Sequence, residues 1–215
     1  MLTLEKVRLA ESMLQGVARK TDMIQTSGLA PGCELWLKTE NLQRTGSFKL
    51  RGAYFKMSQC SPEERKRGVV ACSAGNHAQG VAFAAKQFGM KSTIFLPSSA
   101  PISKIEATRQ YGTQIRLVDG AYDDAYAEAI AFNKETGAVF LHPFDDEDVI
   151  AGQATVGLET LMQLPSVEAI VVPVGGGGLL SGIGFAVKTL RPACKVYGVQ
   201  ASGADGMYRS FRSRN

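Results

Sequence analysis

Apolar positions change their period several times along the 215-residue chain. At Leu4, Val7, Met13 and Leu14 they recur at helical spacing, which predicts a helix over 3–18. Residues 33–39 alternate as a strand does, and residues 48–58 return to a helical pattern. Short apolar runs at 68–73, 91–97, 113–119 and 168–174 then read as strands. Between and around them, alanine-rich or amphipathic stretches predict helices over 76–88, 101–111, 121–136 and 145–163. Parallel neighbours need a crossover, so this alternation predicts an α/β fold with a parallel sheet and helices on both faces. No internal repeat or low-complexity linker interrupts the rhythm.

Composition changes this picture little. Hydrophobic residues at 45% and charged residues at 20% are those of an ordinary globular protein. The length suits one large domain, or one and a part. Of the formal net charge of +4, Arg209, Arg212 and Arg214 supply three, so the rest carries no nucleic-acid footprint. Cys33, Cys60, Cys72 and Cys194 form no CxxC pair, and Glu5, Lys6, Arg8 and Glu11 stand where a signal peptide is apolar; both point to a reducing cytoplasm. The uncharged run 169–187 is long enough for a membrane span, but Pro173 and six glycines make it strand, loop and helix.

Open α/β sheets bind ligands beyond the C-terminal ends of their strands, and three loops carry chemistry there. In "TGSFKLRGA", Gly46 permits a tight turn, Ser47 can cap the helix, and Phe48 sets an aromatic face beside Lys49. Partly desolvated, Lys49 would lose its proton near neutral pH and attack a carbonyl; a solvated lysine on a first helical turn explains the same residues. In "SAGNHAQG", Ser73, Ala74, Gly75 and Asn76 lead into a helix whose start suits a carboxylate, although an N-cap before a tightly packed helix accounts for it equally. His77 reads either as a base or as a packing residue. In "PVGGGGLLSGIG", Gly175, Gly176, Gly177, Gly178 and Leu179 join an apolar strand to an apolar helix and free consecutive N–H groups for an anion. Neither a Walker lysine nor a dinucleotide fingerprint accompanies them, which indicates phosphate rather than nucleotide. A reactive lysine, an aromatic neighbour, an asparagine and a glycine cup are together the parts that hold pyridoxal phosphate.

In this order, "KTENLQRTGSFKLRGA", "SAGNHAQG" and "PVGGGGLLSGI" resemble the threonine dehydratase (threonine ammonia-lyase) and serine racemase family of fold-type-II pyridoxal-phosphate enzymes, over residues 3–211. The resemblance implies two domains of three-layer αβα architecture with parallel or mixed sheets: a small domain at 68–145, inserted in a large one formed by 1–67 and 146–215. It implies Lys49 as the Schiff-base lysine, Phe48 beside the cofactor ring, Asn76 on the ring hydroxyl, and Gly175, Gly176, Gly177, Gly178 and Leu179 around the phosphate. Ser73, Ala74, Asn76 and His77 would form the loop that receives the substrate carboxylate. The expected reaction is β-elimination of water from L-threonine or serine, giving a 2-oxo acid and ammonia. Racemases of the group carry a second serine where this chain has Ala74, and an alanine cannot transfer a proton.

Further expectations follow. At the positions of the racemases' acidic cation ligands stand Gln200 and Gly206, with Asp205 nearby, so no metal is expected there. Asp145, Asp146, Glu147 and Asp148 are read as the acidic start of a helix rather than a metal site. Ala154 replaces a glycine common in the family. Family members continue past residue 215, so the large domain is expected to be incomplete, with an exposed sheet edge and apolar faces. An inactive fragment that binds cofactor, or partners a full-length homologue, is therefore the alternative to a working lyase; a homo-oligomer is the family habit.

Overall fold

In the computed structural model, residues 1–213 are described; Arg214 and Asn215, the end of the basic tail, lie outside the described residues. The chain begins with α1 (Leu4–Met13), capped by the Thr3 hydroxyl, which accepts the Lys6 N–H. This helix is shorter than its apolar spacing suggests, because the chain turns through Gly16 in the left-handed region (φ 75°). An antiparallel pair follows, β1 (Met23–Thr26) and β2 (Leu35–Lys38), and then α2 (Lys49–Ser58) and α3 (Pro62–Arg67).

The next stretch alternates strand and helix: β3 (Val69–Cys72), α4 (Asn76–Phe88), β4 (Ser92–Pro97), α5 (Ile102–Arg109), β5 (Gln114–Val118), α6 (Tyr122–Thr136) and β6 (Val139–Phe140). The four strands form one all-parallel sheet in the order β5-β4-β3-β6. Alternate side chains sort to its two faces. Val69, Ala71, Ile94 and Leu96 pack with Ala78 and Val81 of α4, while Val70, Cys72 and Phe95 pack with Ala125 and Ala129 of α6. Both faces are thus covered, as the near-continuous apolar strands require.

The long helix α7 (Glu147–Gln163) leads to β7 (Ala169–Pro173), α8 (Gly178–Leu190), β8 (Lys195–Val199) and a last helix, α9 (Gly206–Ser213). β7 and β8 pair in parallel. Strands β1, β6 and β8 are short and weakly patterned, and the hydrophobic periodicity does not single them out.

Helix α2 is clamped between two others by glycines. A Cβ on Gly80 of α4 would come within 3.0 Å of the Lys49 carbonyl carbon, and one on Gly152 of α7 within 2.5 Å of Gly52 Cα. Where α7 crosses α8, Gly182 faces Ala154, whose backbone nitrogen would lie 2.7 Å from an added Cβ. The missing side chain at 182 lets α8 approach the α7 backbone itself, at Ile150 and Ala154.

Candidate active site

Lys49 opens α2, delivered by a strained approach. Thr45 is a β-branched residue held at φ 66°, next to Gly46 at φ 71°. The N-cap is Phe48 rather than Ser47: the Ser47 hydroxyl makes only a long contact, accepting the Lys49 N–H at 3.4 Å. The first turn is secured instead from α7, where Gln153 Oε1 accepts the Gly52 N–H at 3.2 Å. Deeper in, Arg51 is completely buried and bonded to Glu40, Glu159 and the Thr155 hydroxyl. Lys38 joins the same cluster through Glu159 at 2.7 Å, so two cations meet two carboxylates.

The Lys49 amine is largely desolvated, and burial lowers its pKa to about 8. Nζ lies 5.5 Å from the Phe48 ring centroid and donates to the Pro143 carbonyl at 2.6 Å. It looks into a cavity of about 410 Å³ lined by Phe48, Lys49, Phe144 and the loop from Pro173 through Gly175, Gly176, Gly177 and Gly178 to Leu179. Gly177 is left-handed (φ 90°), and α8 begins directly after it, so its first N–H groups have no helical acceptor behind them and face an anion-ready end.

The glycines have a second duty that sequence reasoning missed. A Cβ on Gly176 would stand 2.2 Å from the Phe144 ring, and one on Gly178 2.8 Å from the Phe144 carbonyl oxygen. Phe144 therefore packs directly on the cup. It follows the two-residue strand β6, and the search of loops after parallel strands would have found it had that strand been legible. Gln200 also holds the cup: its Nε2 donates to the Gly175 carbonyl (3.4 Å), while its Oε1 accepts the Tyr208 N–H (2.9 Å).

Ser73, Ala74, Asn76 and His77 sit at the start of α4, outside the cavity lining. The Ser73 hydroxyl accepts the Gly75 N–H at 3.2 Å, Ala74 packs on the core of the four-stranded sheet, and Asn76 is exposed. His77 is buried and bonded through Nε2 to the Leu141 carbonyl at 2.9 Å, which requires the proton on Nε2. Burial pushes its pKa down to about 3, so it stays neutral, and its side chain has already spent its donor. What His77 can offer a carboxylate is its backbone N–H. Among the acids at 145–148, Asp146 caps α7 by accepting the Asp148 and Val149 N–H groups, and Asp146 and Asp148 both pair with Lys56.

The family model described as "Pyridoxal-phosphate dependent enzyme" matches residues 14–215. An L-threonine ammonia-lyase of Thermotoga maritima is 53% identical over 214 residues, covering 99% of this chain and 53% of that protein. The chain thus spans about half the length of this relative. The solved structure of maize serine racemase superposes with a TM-score of 0.96 at 34% identity, over 100% of this chain and 66% of that one. Threonine deaminase isoform 2 of Solanum lycopersicum superposes with 0.94 at 36%, over 98% and 59%. With a desolvated lysine facing a glycine cup at a helix start, and with that match across nearly its whole length, the chain belongs to the pyridoxal-phosphate dependent enzyme family.

Proposed function

We propose that this chain carries the catalytic apparatus of an L-threonine/L-serine ammonia-lyase. The observation that carries the reading is Lys49, its pKa lowered to about 8 by burial, in one cavity with the glycine cup. The site fits pyridoxal phosphate. Gly175, Gly176, Gly177, Gly178 and Leu179 would hold the phosphate at the start of α8, Phe48 would flank the ring, Asn76 would meet the ring hydroxyl, and Lys49 would bond the aldehyde carbon. When bound, the cofactor supplies an electron sink that stabilises negative charge at the substrate Cα.

At pH 7 about a tenth of Lys49 is the neutral amine, against well under a thousandth for an ordinary lysine, so it is a competent nucleophile and base. Freed by the incoming substrate amine, Lys49 would take the Cα proton and return a proton to the departing β-hydroxyl. Threonine loses water, and hydrolysis of the resulting enamine gives 2-oxobutanoate and ammonia. The backbone around Ser73, Asn76 and His77 orients the substrate carboxylate at the start of α4. Ala74 supports elimination over racemisation, since a methyl group offers no proton to the opposite face. The division into a small unit at 68–145 and a large one from 1–67 and 146–215 belongs to the same reading; the all-parallel sheet lies wholly within the first. So does a cytoplasmic setting, supported by four unpaired cysteines. Among the described residues, no helix is long and apolar enough to cross a membrane.

A second reading, cofactor binding without turnover, has one observation in its favour: the carboxylate loop lies outside the cavity lining. The two are separated by visible spectra of the chain with pyridoxal phosphate, before and after Lys49→Ala, followed by threonine and assay of 2-oxo acid and D-amino acid. The lyase reading expects a Lys49-dependent band and 2-oxo acid. A band without product selects the second reading, and no band sinks both.

A further inference from the structure

Between β6 and α7 the chain runs through residues 141–146, touching both halves of the site. Leu141 accepts from His77, Phe144 packs on Gly176 and Gly178, and Asp146 caps α7. Within this strap, one peptide group links residue 143 to residue 144. Its carbonyl accepts from Lys49 Nζ at 2.6 Å. Its N–H points the other way and makes a long contact with His142 Nδ1 at 3.4 Å, while the same Nδ1 accepts the adjoining Asp145 N–H firmly, at 2.8 Å. The C=O and N–H of a trans peptide are antiparallel, so holding one end aims the other. The proline ring fixes φ at residue 143, leaving rotation of this plane as the main remaining freedom.

From this geometry we infer that His142 is a positioning residue: its Nδ1 lone pair fixes the 143–144 peptide, so that the Pro143 carbonyl is the resting place of the Lys49 amine. The inference deepens the reading above, because it concerns the lysine assigned there. Two backbone donors on Nδ1 demand a neutral ring with its proton on Nε2. Burial holds the His142 pKa below its ordinary value, against Asp145 and Asp146 on the strap, which favour ring protonation, and with a smaller contribution from Lys49 of α2. His77 of α4 faces the same region and is neutral. A carbonyl acceptor stabilises the ammonium form of Lys49, so releasing the peptide lowers the lysine pKa further.

The test needs no cofactor. Acetic anhydride labelling of Lys49, followed by mass spectrometry from pH 6 to 11, gives its midpoint in the wild type, in His142→Asn and in His142→Leu. Asparagine Oδ1 can accept the same two N–H groups, and leucine cannot. The wild type and the Asn variant are expected to share a midpoint near 8, with the Leu variant lower by about one unit, a tenfold change in acid constant. Unfolding would move Lys49 the other way, toward an ordinary lysine. A Leu variant whose midpoint stays or rises overturns the inference, and so does an Asn variant that shifts with it. The same three chains are then given pyridoxal phosphate. A wild type without Lys49-dependent absorbance defeats the cofactor reading, while the labelling result stands by itself.

Discussion

At the scale of the residue, Lys49 is held at a cost. Its pKa falls to about 8 because burial penalises the ammonium, so the folded state is disfavoured wherever the lysine is charged. The sign follows: the penalty is fully present below pH 8 and fades as pH rises from about 8 toward the unfolded value of 10.5. Lys49→Met shortens the side chain by one atom and removes the charge. At pH 7 it is expected to be more stable than the wild type by roughly 1–3 kcal/mol in urea denaturation, with the gap closing above pH 8. An unchanged or lower stability at pH 7 would show that the amine is not strained there. Thr45 is strained in the same way, a β-branched residue at positive φ four positions before the lysine, whose buried hydroxyl lacks a partner among the described residues.

Elements hold the lysine through helix α2. Gly80 and Gly152 let α4 and α7 approach it at backbone distance, and Arg51 anchors its far side. Removing the guanidinium leaves Glu40 and half of the Glu159 pairing in a dry site. Arg51→Met is therefore expected to cost about 3–5 kcal/mol, measured by urea denaturation at pH 7. A loss under 1 kcal/mol would mean that the cluster is better hydrated than its burial implies. The same cluster sets an acid limb, since Arg51 and Lys38 outweigh burial and lower the Glu159 pKa from 4.5. The stability it contributes is present above pH 4.5 and is lost as pH falls through the lower folded value. In Glu159→Gln this part of the pH dependence disappears.

On the scale of the whole molecule, β7 and β8 pair only with each other among the described residues. Ile170 and Val172 turn into the core, whereas Val171, Tyr197 and Val199 are 64%, 50% and 55% exposed. A two-stranded ribbon with an apolar outer stripe and free edges is prone to association. The apparent molar mass of the chain from light scattering should rise with concentration, and Val171→Lys combined with Tyr197→Lys should suppress the rise. Equal scattering by both proteins would clear this face.

Elements with strong local patterns were legible without coordinates. The helix at 76–88 follows from its apolar spacing, and the strands centred on 70, 94, 116 and 171 from short apolar runs between turn and helix signals. The lysine, the glycine cup and the acidic helix start were legible too, since backbone freedom, capping and charge are local properties of residue types. Only the tertiary structure brought Phe48, Lys49 and the cup into one cavity, and only it could lower the lysine pKa, which depends on what surrounds the amine. It also moved the securing of the α2 start from Ser47 to Gln153, about a hundred residues away in the chain. The two-residue strand β6, and with it His142, Pro143 and Phe144, carries too short a pattern to read. The meeting of these residues with Lys49 was decided by packing between distant segments, where no local periodicity reaches.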